Sequence, residues 1–91
     1  MRFPADFECT PRIQDFVYEN ADEMVRLFGI PPAEAAGRIN RQWCGQRMLE
    51  EVDELSLFHN DADHWANLIY YGHDGLWRSR KYGPQPPLPY P

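Results

Sequence analysis

Apolar residues recur in the first third of the chain at helical spacing. Ile13, Phe16, Val17, Met24 and Phe28 fall on one face, with Ala21 between them. Thr10-Pro11 marks the start, because threonine is a good N-cap and proline at the first helical position gives up only an N–H that would be unpaired there anyway. Gly29 can take the left-handed conformation that ends such a run. The pattern predicts helical structure over 11–28. Asn20 with Glu23 three positions on also reads as a capping box, so one helix and two short helices sharing a face both fit.

Pro31 disfavours helical geometry at Ile30, and Pro32 with Glu34 suits a new first turn. Ala36, Ile39 and Trp43 mark the apolar face of a second helix from Pro32 to Cys44, closed by Gly45. In Gln46–Phe58, the residues Met48, Leu49, Val52 and Leu55 permit a short helix, with Leu55–Phe58 reading as a loop or an extended close. Asn60-Asp61-Ala62-Asp63 then supplies a cap and first-turn carboxylates. The following helix, over 61–71, carries Ala62, Trp65, Ala66 and Ile69 and stops at Gly72. Apolar nearly all round, it is expected at the centre of the fold. Residues Met1–Cys9 alternate weakly and fit an edge strand or, as the preferred reading, an extended segment on the core.

His73-Asp74-Gly75 is turn chemistry, and Leu76-Trp77 is a last apolar anchor. Pro84, Pro86, Pro87, Pro89 and Pro91 then favour a polyproline II arm. The expected fold is mainly α: a small bundle of three to four helices over residues 1–77, with an extended N-terminal segment and a basic, proline-rich C-terminal arm over 78–91.

A unit of this size buries only roughly 60–65% of the surface its unfolded chain exposes. The five Phe, five Tyr and three Trp must therefore supply much of the buried area. Charge refines the picture more than the net −5 does. Residues 46–75 hold one basic and seven acidic side chains, whereas 76–91 hold three basic and none acidic. Two cysteines, Cys9 and Cys44, with no apolar leader after Met1-Arg2-Phe3-Pro4, fit a reducing, cytoplasmic setting with free thiols, although a disulfide between them stays open. No stretch approaches the ~18 apolar residues of a membrane span.

Four chemistries compete. His59-x-Asp61-x-Asp63-His64, with His73 and Asp74 nearby, holds the ligand types of a hydrolytic metal site. Asp61 and Asp63 nevertheless face different sides of a helix, and capping explains them more simply. Cys44 with a histidine makes a nucleophile only under a geometry that spacing does not specify. The helix–turn–helix over 10–44 would project Arg38, Arg41 and Gln42 toward DNA, but a sequence pI near 5.0 opposes phosphate binding. The fourth chemistry is protein binding. Glu50, Glu51, Asp53, Glu54, Asp61 and Asp63 form an acidic block suited to a basic partner, and Trp65, Tyr70 and Tyr71 offer aromatic anchors beside it. No cofactor and no catalytic residue is expected, and a homodimer is compatible with the aromatic content. In the arm, Lys81-x-x-Pro84-x-x-Pro87 and Pro86-Pro87-Leu88-Pro89 fit ligands of aromatic-lined grooves; alternatively, Leu88 and Tyr90 lie across the chain's own helices.

The block from His59 through Trp65 and Tyr71 to Gly72, with Glu34 to Trp43 upstream, resembles small uncharacterised bacterial proteins. In size, acidity and aromatic content the chain is similar to immunity proteins that neutralise bacterial toxins. That resemblance implies an inhibitory, protein-binding role.

Overall fold

The computed structural model describes residues 3–72 and 86–90. Its elements run β1 (Glu8–Cys9), α1 (Pro11–Phe28), α2 (Pro32–Gln42), β2 (Arg47–Met48), α3 (Glu51–Phe58) and α4 (Ala62–Tyr71). The protein is mainly helical, as the apolar spacing implies. Thr10 caps α1, its Oγ1 accepting from the Ile13 N–H at 3.2 Å, and Pro11 opens the first turn. Gly29, at φ 65°, closes α1 with its N–H on the Val25 carbonyl. Asp61 caps α4 by accepting from the His64 N–H at 2.9 Å.

α1 is the hub, packing against α2, α3 and α4. This corrects the expectation that the 61–71 helix is central: α4 fully buries only Ala66 and Ile69, whereas α1 buries Ile13, Phe16, Val17, Asn20 and Met24. An 18-residue helix offers more than one packing face, and a ten-residue one does not. Ile39 and Trp43 from the α2 region complete the interior with Phe7, Met48 and Leu57.

Aromatic rings line the joints between elements. Phe7 meets Trp43 edge-on at 5.8 Å, Trp43 meets Trp65 at 5.6 Å, and Phe16 tilts against Phe58 at 5.4 Å. The Trp65 indole N–H donates to the Leu57 carbonyl at 2.7 Å, tying α4 to α3.

Three local expectations change. The N-terminal segment is a strand where it meets β2: Glu8 pairs with Arg47 and Cys9 with Met48 in a parallel ladder, which the Thr10 N–H extends to the Met48 carbonyl at 3.0 Å. A two-residue strand exists only through its distant partner, so alternation within 1–9 cannot reveal it. The second helix stops at Gln42, with Trp43 as its C-cap, two residues short of Cys44. Over 46–58 the order is strand then helix, and Leu55–Phe58 are helical. The Asp53 carboxylate accepts from the Glu50 N–H at 3.1 Å and sets the start of α3.

α1 passes through Asn20 unbroken, so this residue caps nothing. Its side chain is fully buried among the apolar residues of α1, and neither amide atom has a hydrogen-bond partner among the described residues. Such a group loses its water without compensation. Asn20→Leu is therefore expected to raise the unfolding free energy by about 1–2 kcal/mol. The measurement is a urea titration, in which the midpoint should rise at an unchanged slope. A lower midpoint would show that the amide is paired in solution.

Candidate functional site

α3 is turned so that a carboxylate faces inward and leucine faces water. Glu54 is 9% exposed, accepts from the Thr10 hydroxyl at 2.5 Å and lies 3.5 Å from the Arg12 guanidinium. Thr10 thus joins two helices, capping α1 with its oxygen and holding Glu54 with its proton. Leu57 points into the core beside Glu54, and Phe58 packs against its rim.

The opposite face carries Val52 and Leu55, 60% and 63% exposed, and Leu49, 46% exposed, stands just before the N-cap Glu50. Spacing alone permits a short helix through Met48, Leu49, Val52 and Leu55 and does not say which face it buries. Val52 and Leu55 are outside because Glu54 and Leu57 occupy the inner positions. Glu50 and Glu51 are exposed beside them and Asp53 is half-buried, giving an apolar stripe rimmed by carboxylates. The Glu50–Asp53 capping bond and the Thr10–Glu54 bond fix where α3 begins and how it is turned.

The nine residues of the expected binding set separate in space. Glu50, Glu51 and Asp53 share the α3 face, but Glu54 belongs to the interior. Asp61 is exposed and committed to capping α4, and Asp63 is half-buried in its first turn. Trp65 is half-buried and anchored to α3 through Leu57. Tyr70 and Tyr71 lie at the other end of α4, where Tyr70 stacks on Phe28 at 3.8 Å and Tyr71 meets Phe28 edge-on at 5.8 Å. These tyrosines do not sit beside the α3 acids.

At that end of α4 the chain's own C-terminal segment is docked. The Leu88 N–H donates to the Tyr70 carbonyl at 2.8 Å. Arg38 Nη1 donates to the Leu88 carbonyl at 2.7 Å, and Arg41 Nη1 to the Pro89 carbonyl at 2.8 Å. Arg38 is 4% exposed, held by Glu34 one turn earlier at 2.9 Å and lying 4.8 Å over the Tyr70 ring. Tyr90 lies under both guanidinium groups, 5.3 Å from Arg38 and 5.5 Å from Arg41. Gly37 makes its seat: a β-carbon there would stand 1.9 Å from the Tyr90 hydroxyl oxygen. Of the arginines read as facing DNA, Arg38 is thus buried and Arg41 is bonded to the arm, while Gln42 is exposed.

Of the histidine cluster, His59 is exposed at the end of α3, and His64 lies edge-on to Trp65 at 6.1 Å. Among the described residues no three His, Cys, Asp or Glu side chains gather as metal ligands. His73 and Asp74, the Lys81–Pro84 part of the arm motif, and Trp77 lie outside the described residues. No described helix is long and apolar enough to cross a membrane. No family model matches the chain, and no curated protein or solved structure matches it either.

Both cysteines are free. Cys44 is exposed, whereas burial pushes the Cys9 thiol above its ordinary pKa. Cys44 is therefore expected to take up a maleimide first, with Cys9 catching up only as alkaline pH fills its thiolate, as read by peptide mass spectrometry. Thr10→Val removes the α1 cap and strips Glu54 of a donor. It should lower stability by about 2–3 kcal/mol in chemical denaturation, more than a cap alone is worth.

Proposed function

We propose that this protein acts by binding another protein, and that the outer face of α3 makes the contact. The observation that carries this reading is the exposure of Val52 and Leu55 on a helix whose first turn is acidic, with exposed Leu49 just before its N-cap. An apolar stripe with a charged rim is the anatomy of an interaction patch. The carboxylates of Glu50, Glu51 and Asp53 complement a basic surface and steer its approach, and the three apolar residues supply the desolvated centre.

The concrete form of the proposal is an inhibitory, toxin-neutralising role in the bacterial cytoplasm. An acidic, rigid, small surface is suited to covering a cationic site on a larger protein. Free thiols at Cys9 and Cys44 are in keeping with a reducing compartment. The similarity in size and composition to immunity proteins supports the same role.

The test compares immobilised wild-type protein with Leu55→Lys in a bacterial lysate. Leu55 is exposed, so the substitution should leave stability within about 0.5 kcal/mol. Wild type is expected to retain one basic protein in stoichiometric amount, and the variant should bind it at least about tenfold more weakly, the loss expected at a hot spot. Retention of no stoichiometric protein, or equal retention by both, counts against the proposal.

A further inference from the structure

The C-terminal segment occupies its seat as a peptide occupies a receptor. Its polar anchors are main-chain groups: one N–H and two carbonyls, taken by Tyr70, Arg38 and Arg41. Two of its side chains lie against glycines of the surface. Leu88 lies over Gly72, where a β-carbon would stand 3.1 Å from it, and Tyr90 fills the notch at Gly37. On the receptor side, Glu34 holds Arg38 and Phe28 stacks on the Tyr70 ring, contacts that do not involve the segment. The segment, by contrast, stays at the surface, with Leu88 38% and Tyr90 39% exposed. A ligand seated this shallowly, by contacts independent of the chain that carries it, can be exchanged.

We propose that the groove between α2 and α4 is a binding site for an extended Pro-Leu-Pro-Tyr segment, and that its partner in trans is residues 86–90 of a second copy of this chain. The second copy is the occupant of demonstrated fit, since every contact of the seated segment would be repeated unchanged. Reach permits it. Residues 73–85 separate α4 with its Gly72 cap from the docked segment, which is 85 − 72 = 13 residues. Extended, they span about 43–47 Å, longer than the 39 Å long axis of the molecule. Closure within one copy is intramolecular and exchange between copies is bimolecular, so the closed monomer wins when dilute and exchange grows with protein concentration. Reciprocal exchange gives a closed two-fold dimer. The α3 face takes no part in it.

Two full-length variants separate the halves of the contact. Leu88→Asp with Tyr90→Ala disables the segment and leaves the groove. Gly37→Gln fills the Tyr90 notch while favouring the helix, and leaves the segment. Each alone should be monomeric, near the 10.7 kDa chain mass. Mixed at about 0.1–1 mM, with closure within one copy removed in both, they should form a one-to-one heterodimer in sedimentation equilibrium. A synthetic peptide of the sequence Pro84–Pro91 should dissolve it. A monomeric mixture of two folded variants overturns the proposal, and so does dimerisation of either variant alone.

If a variant fails to fold, the same peptide is titrated onto wild-type protein and followed at the protein's own Leu88 and Tyr90 resonances. Both should shift at about 5 mM peptide, as the chain's own segment is displaced from the groove. Unmoved resonances overturn the proposal. Loss of lysate binding at α3 would leave this result intact.

Discussion

Ile13, Phe16, Val17 and Met24 leave water only because α2, α3 and α4 meet α1 along its length, each covering part of its apolar face. Each such side chain is worth roughly 1.5–3 kcal/mol when fully buried. A domain of this size has few of them, so the helix that carries most governs where the others can sit. α4 therefore lies against α1 with a narrow stripe of its own, and its rings serve the joints: Trp65 toward α3, Tyr70 and Tyr71 toward Phe28.

Polar groups set how the partners are rotated about that hub. The Thr10 hydroxyl draws Glu54 inward, and with Glu54 and Leu57 inside, Leu49, Val52 and Leu55 are left facing out. The Thr10 side chain that caps α1 with its oxygen therefore also, through its proton, creates the apolar stripe proposed as the partner surface. Burying a carboxylate next to a hydroxyl while exposing three aliphatic residues is a poor exchange for stability. It suits a chain whose α3 face is to be covered by another protein. Asn20 is a second departure from an optimal core, with its amide buried and unpaired among the described residues.

Arg38 organises the opposite end. Its guanidinium joins α2 to the α4 terminus and to the C-terminal segment, with Glu34 and the Tyr70 ring balancing its charge. A glycine inside a helix costs roughly 0.8–1.0 kcal/mol against alanine. At Gly37 that cost makes room for Tyr90, so the helix gives up stability to create a seat.

Signals confined to a few neighbouring residues were readable from the chain. Thr10-Pro11, Gly29, Pro32, Asp61 and Gly72 bound three of the four helices to within two residues, because caps and breakers act on adjacent backbone groups. The acids Glu50, Glu51 and Asp53 were found as a charge run, and Leu88 and Tyr90 as side chains able to lie on the chain's own helices. Features that need a distant partner were hidden. The pairing of Glu8–Cys9 with Arg47–Met48, the inward turn of Glu54 toward Thr10, the separation of Tyr70 and Tyr71 from the acids, and the burial of Arg38 each depend on what approaches from elsewhere in the chain. Periodicity marks Leu49, Val52 and Leu55 as apolar and helical. Whether that face meets the core or water was decided by a competing carboxylate and hydroxyl 44 residues apart.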